Sequence, residues 1–194
     1  MFSLDNDSID FKTIDNNIDF KSLKIAYSGT HGTGKTTSVF NMATYCKMKY
    51  PKKSVHVITE TASESPFKIN KQTSEESQLW IYTKQIQNEL ENSLKYNILI
   101  SDRSIVDCIA YSQVAGFTKL VRYQHDFAKY YLKNYDYIFF KKIETNDFLF
   151  KDGIRDSEDL EFRQKVENEL LNLYTNPLYG LTKYLKHKDT LQFI

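Results

Sequence analysis

A layered α/β architecture, with a central parallel sheet of about five strands flanked by helices, is predicted by three observations. Strand-like and helix-like segments alternate along nearly the whole chain. The first strand-like segment runs directly into a glycine-rich turn and then into a helical pattern. The second and third end in residues apt for chemistry, Glu60 and Asp102-Arg103-Ser104.

In chain order, LKIAYS (23–28) reads as a buried first strand. Val39, Met42, Ala43 and Cys46 recur at helical spacing in the segment that follows, which closes near Pro51. SVHVITE (54–60) is a second strand. Leu79, Tyr82, Ile86, Leu90 and Leu94 lie on one stripe of a long helix over 73–94. NILISD (97–102) is the third strand. Helices are predicted over 105–113 and 119–132, broken at Gly116. YDYIFFKKI (135–143) is a strand, and Phe162, Val166, Leu170 and Leu173 mark another helix with Asp156 or Ser157 as N-cap. TLQFI (190–194) completes the pattern as a last strand. Residues 1–22 form an N-terminal appendage in which IDFK occurs twice around the turn-prone Asp15-Asn16-Asn17, suiting a hairpin or partner contact. Residues 23–194 read as one domain.

The composition of the 194-residue chain, 41% hydrophobic and 26% charged, suits a globular domain with an ordinary core. A formal net charge of +1 gives no general electrostatic case for nucleic acid or membrane surfaces. Apolar runs such as Tyr137–Phe140 are far shorter than a membrane span. The N-terminal residues carry Asp5, Asp7 and Asp10 and no continuous apolar run, so a cytoplasmic location is expected. Cys46 and Cys108 are expected as reduced core thiols. Only four of the 26 basic residues are arginine, at 103, 122, 155 and 163. In a lysine-preferring chain, each arginine is a place to ask whether a planar fork of donors is needed.

Gly29-Thr30-His31-Gly32-Thr33-Gly34-Lys35-Thr36 fits G-x-x-x-x-G-K-[ST] without a mismatch, in the strand-to-helix setting that the motif requires. Its glycines let successive N–H groups turn toward phosphate oxygens, and the helix N-terminus adds positive potential. The chemistry is that of a P-loop NTPase fold binding ATP or another NTP with Mg²⁺. Lys35 reaches the β and γ phosphates and the Thr36 hydroxyl ligates the metal. Thr30, His31, Thr33 and Thr37 complete the candidate nucleotide-binding set, with His31 at a variable loop position.

Ligands of parallel sheets sit beyond the carboxyl ends of the strands. Asp102, closing the third strand, is therefore the candidate for holding the metal's water shell, while Ser104 is the better N-cap for the next helix. Arg103 is suited to developing phosphate charge. Glu60 is a candidate proton acceptor or substrate ligand, with Glu64 close enough to compete.

GTHGTGKTT, Glu60 after strand two and Asp102-Arg103-Ser104 after strand three resemble the P-loop nucleoside and nucleotide kinases, among them deoxynucleoside and thymidylate kinases. SQLWIYTKQIQNE, SDRSIVDCIAY and DGIRDSEDLEFR extend the resemblance to kinase-like ATPases related to nicotinamide riboside kinase domains. That resemblance implies that DGIRDSEDLEFR is a lid segment whose Arg155 and Arg163 close over the phosphates. The resemblance to deoxynucleoside kinases also implies a base-reading glutamine at Gln78 on the long helix, and Trp80, bordering the apolar stripe, suits either core packing or stacking on the same ligand. The chain departs from these families at ETASESPF, which lacks the proline and tryptophan common after the strand-two glutamate, and at Ser63, where the ATPases tend to have arginine. Phe67 and Asn70 are further candidates for the acceptor pocket.

The expected function is an ATP- and Mg²⁺-dependent phosphotransferase for a nucleoside, nucleotide or related ribosyl small molecule. Two alternatives stay open: a kinase acting on a hydroxyl of DNA or RNA, and an NTP-binding regulatory switch. The 22 lysines supply material for a basic groove in the first, and the duplicated IDFK supports the second. Oligomeric state and the choice between ATP and GTP are not legible.

Overall fold

The computed structural model describes residues 22–69, 72–143 and 160–194. Among these, five strands form one wholly parallel sheet: β1 (Leu23–Ser28), β2 (Val55–Ile58), β3 (Ile98–Asp102), β4 (Tyr137–Phe140) and β5 (Leu191–Phe193). Their order across the sheet is β2-β3-β1-β4-β5. Five helices connect or cover them: α1 (Lys35–Lys49), α2 (Glu75–Ser93), α3 (Ile105–Val114), α4 (Thr118–Tyr131) and α5 (Leu160–Thr175). The IDFK repeats, Asn70, Arg155 and the proposed caps Asp156 and Ser157 lie outside the described residues.

The alternation of β1 explains the three layers. Leu23, Ile25 and Tyr27 pack with Ile98 and Ile100 of β3 against Val39, Met42 and Cys46 of α1. Ala26 faces the opposite side, where Ile138 and Phe140 of β4 meet α2, α3, α4 and α5. Period-two side-chain direction thus divides one sheet between two cores. β1 is buried at every position, as expected for a central strand covered on both faces.

α2 departs from the expected apolar stripe. Leu79, Leu90 and Leu94 are 47%, 50% and 79% exposed, while Ser77, Gln78, Ile81, Tyr82, Gln85 and Glu89 are buried. The helix begins where expected, with the Ser74 side chain accepting from Ser77 N, but it turns a polar ridge inward. That ridge has partners. Gln85 Nε2 donates to Ser101 Oγ at 2.7 Å and Glu89 Oε1 at 2.8 Å, and it lies 3.3 Å from the Arg103 carbonyl oxygen. Tyr131 and Tyr135 hydroxyls donate to Glu89 at 3.0 and 2.7 Å, and Lys24 Nζ lies 3.9 Å from its Oε2. Hydrogen-bonded polar side chains can thus occupy the interior in place of leucines.

Candidate active site

The phosphate loop joins β1 to α1 at the carboxyl edge of the sheet. Gly29 has φ +147°, and a Cβ there would lie 2.5 Å from the Lys141 carbonyl oxygen, so a side chain is excluded. Gly34, at φ 72°, caps α1 without any side-chain cap, which leaves the first-turn N–H groups directed at the loop. The Lys35 ammonium donates to Thr30 O at 2.6 Å, and Thr33 Oγ1 donates to the same carbonyl at 3.0 Å. Thr36 Oγ1 donates to Asp102 Oδ2 at 2.5 Å. Thr37 is exposed on the first turn of α1.

The hydroxyl of Thr36 and the carboxylate of Asp102 are hard oxygen donors brought together beside a loop shaped for phosphate. This pair fits the protein side of a Mg²⁺ shell, whose remaining ligands are water and phosphate oxygens. The phosphates of a nucleotide likewise fit the loop and the uncapped helix end.

His31 turns sideways. Its backbone N–H donates to the Tyr111 hydroxyl at 3.2 Å, and its Nδ1 lies 3.1 Å from that same oxygen. Its ring centroid is 6.0 Å from that of Phe162. Arg163, one residue on, is buried against the loop and donates from Nη2 to Gly32 O at 3.3 Å. The structure thus brings Arg163 to the phosphate loop.

At the end of β3, Arg103 has φ 97°. Its Nε lies 2.8 Å from Glu60 Oε1, an ion pair that falls outside hydrogen-bond alignment. Its guanidinium carbon sits 4.7 Å from the Tyr111 ring centroid, and Nη2 reaches the Tyr111 hydroxyl at 3.4 Å. Burial acts to lower the Arg103 pKa, but Tyr111, Asp107 and Asp102 outweigh it and the net shift is upward. Glu60 lies two residues beyond β2, at the entry to the 3₁₀ turn Thr61–Glu64. Glu64 is exposed on that turn, so it is Glu60 that faces Arg103.

Beside this pair is a cavity of about 340 Å³ lined by residues of the 3₁₀ turn, α2, α3 and α5, with Arg103, Tyr111 and Phe162 on its wall. Gln78 also lines it, with Nε2 donating to Thr73 Oγ1 at 2.9 Å. Trp80 is not among the lining residues and packs against the larger core instead. Phe67 is 43% exposed and is likewise absent from the wall. Cys108 does line the cavity, and burial pushes its thiol up to about 12.

Several residues that organise the site carry no loop motif. Asp107 Oδ1 accepts from Gly29 N at 2.8 Å, while Oδ2 accepts from Ser104 N and Ser104 Oγ, both at 2.8 Å. One carboxylate therefore ties the phosphate loop to the start of α3. The Ser104–Asp107 capping box is its visible sequence signal. Tyr111 follows one turn later on the same face. Lys141, just after β4, donates to Ser38 Oγ at 2.9 Å.

A family model described as an AAA domain matches residues 24–184. No curated protein matches the sequence. Solved structures similar to this chain include thymidylate kinase from Ehrlichia chaffeensis, at TM-score 0.57 and 20% identity, covering 90% of this chain and 87% of that one. Deoxyadenosine kinase from M. mycoides, solved with bound dATP, gives TM-score 0.59 and 18% identity over 89% of this chain and 90% of that one. Thymidylate kinase from Candida albicans gives 0.58 and 16% over 90% and 83%. At these identities the likeness is one of fold. With the sequence match running from β1 to residue 184, the chain belongs to the AAA domain family and carries a P-loop fold like that of the nucleoside and nucleotide kinases.

Proposed function

We propose that the protein is an ATP- and Mg²⁺-dependent phosphotransferase acting on a nucleoside, nucleotide or related ribosyl small molecule. The observation that carries this reading is the cavity adjoining the phosphate loop, with Arg103 and Tyr111 on its wall and Tyr111 bonded to His31 of the loop. A binding site for a second small molecule beside a triphosphate site is what transfer between two substrates needs.

ATP supplies the phosphoryl group, and Thr36 and Asp102 would hold a Mg²⁺ ion, which would offset the charge of the triphosphate. Lys35 and the uncapped α1 N-terminus bind the phosphates, and Arg163 stands where it can neutralise charge from the far side of the loop. The acceptor hydroxyl oxygen forms a bond to the γ-phosphorus as the bond to the β–γ bridging oxygen breaks. ADP leaves with that electron pair, and Glu60 takes the hydroxyl proton. Arg103 orients Glu60 for this step and stabilises the negative charge that develops nearby.

The test is ADP release with Mg-ATP across nucleosides, nucleoside monophosphates, nicotinamide riboside and oligonucleotides. One acceptor is expected to raise turnover many-fold, and Lys35→Ala to abolish the rise. A flat panel with intact ATP binding would reject the proposal. Stimulation by oligonucleotides alone would move the acceptor hydroxyl onto a polymer.

A further inference from the structure

Two neighbouring helices carry a run of large apolar side chains on their outer surface. Leu79, Leu90 and Leu94 recur on one stripe of α2 and its C-cap, and Tyr123, Phe127 and Tyr130 recur on one stripe of α4; all six are exposed. Ile86, half-buried, bridges Leu79 and Leu90. The stripes flank a single groove. At its floor the Tyr82 hydroxyl donates to Gln124 O at 2.9 Å, and the Tyr82 ring meets Phe127 edge-on at 6.1 Å. Further along, the Tyr131 hydroxyl donates to Glu89 at 3.0 Å. These ties advance along both helices together, so α2 and α4 run parallel.

At roughly 200 Å² for a large side chain, the exposed fractions of the six residues amount to about 700 Å². That exceeds the patch of about 300–600 Å² usual on a monomer and approaches the ~800 Å² that each partner gives to a stable interface. The charges beside the groove identify the partner. α2 exposes Glu75, Glu76 and Glu91, with Lys84 half-buried. α4 exposes Lys119 and Arg122, Lys133 follows it, and its one acid, Asp126, is paired with Lys129 at 2.7 Å. Within one chain Glu91 stands level with Lys133, because Glu89 meets Tyr131; Arg122 is then about 16 Å away along the helix. A two-fold axis normal to the groove lays α2 of one copy antiparallel on α4 of the other. It sets Glu91 opposite Lys119 and Arg122, turns Glu75 and Glu76 toward Lys133, and lays leucines on tyrosines. The surface is therefore complementary to itself, as a two-fold contact requires. We propose that this α2–α4 face is the interface of a homodimer.

Sedimentation equilibrium of the full chain from about 1 to about 100 μM is expected to show a reversible dimer. Tyr123→Glu and Leu90→Glu, each placing a charge at an exposed position, are expected to weaken it about tenfold or more, with the circular dichroism spectrum unchanged. Arg122→Glu and Glu91→Lys are each expected to weaken it about fivefold, and the two together to restore it. Restoration separates an interface from a structural role, because the two residues do not meet inside one chain. The charge exchange also decides the matter where an apolar substitution disturbs the fold. A monomer at about 100 μM overturns the proposal and leaves the face to a partner of another sequence. A dimer indifferent to Tyr123→Glu and Leu90→Glu overturns it, as does a charge exchange that fails to restore association. The kinase reading is judged separately, by turnover.

Discussion

Arg103 is the only non-glycine residue with positive φ among the described residues, at 97°. A side chain in that region crowds its own backbone, and such strain persists only where the surroundings over-determine the conformation. Here they do: Arg103 N donates to Tyr27 O at 3.0 Å, and its carbonyl oxygen lies 3.3 Å from Gln85 Nε2. The side chain so aimed meets Glu60 and Tyr111. Two truncations therefore separate strain from contact. Arg103→Ala loses the ion pair and keeps the strained backbone, whereas Arg103→Gly loses both, so the glycine variant is expected to be more stable by about 1 kcal/mol. Urea unfolding measures this, and equal midpoints would mean that the backbone stores no strain. Phosphotransfer should be lost in both. Lys35, Thr36 and Asp102 were legible in the sequence because a fixed loop spacing and a strand end dictate where they point. Tyr111 was not, because its value comes from meeting Arg103 together with His31 and Phe162, the last two on segments distant in sequence.

At the scale of elements, strand and helix order was legible throughout the described residues, since period-two and helical patterns report burial directly. α2 shows where that logic stops. Of its stripe, Tyr82 and Ile86 do pack inward while Leu79, Leu90 and Leu94 stay exposed, because Gln85 and Glu89 find partners inside that no local pattern reveals. The buried acid has a consequence for pH. Burial raises the Glu89 pKa above its ordinary 4.5, against the opposing pull of Lys24, Gln85, Tyr135 and Tyr131. A raised carboxyl favours the neutral form in the folded protein, so its contribution to stability is complete below 4.5 and is lost as pH rises through the folded pKa. Glu89→Gln stays neutral at every pH. The stability of the unaltered protein relative to this variant is therefore expected to fall as pH climbs above 4.5, read from urea midpoints at each pH. A difference that stayed flat, or grew in favour of the unaltered protein, would show that Lys24 fully compensates the buried charge.

At the scale of the whole molecule, the sheet places α1 on one face and α2, α3, α4 and α5 on the other, so the phosphate loop and the cavity share the carboxyl edge. Asp107 and Tyr111 span that edge, one holding Gly29 and the other His31. A nucleotide bound there contacts a loop anchored to both α1 and α3, so its binding energy should appear as stability of the entire domain. Ligand at about one hundred times its dissociation constant adds about 2.7 kcal/mol to the folded state. For a chain of this size each kcal/mol raises Tm by about 2–4 °C, so saturating Mg-ATP is expected to raise Tm by about 5–10 °C. Lys35→Ala should lose most of the rise, because the loop loses its phosphate cation and that ammonium's bond to Thr30 O. Asp102→Asn should respond differently. If Thr36 and Asp102 hold the metal, this substitution should bring the shift given by ATP with Mg²⁺ down toward that given by ATP with a chelator. The shift with chelator present should itself stay as it is in the unaltered protein. A full Mg²⁺-dependent shift in Asp102→Asn would instead place the ion on water and phosphate alone, and leave the short Thr36–Asp102 contact a purely structural tie between the phosphate loop and β3.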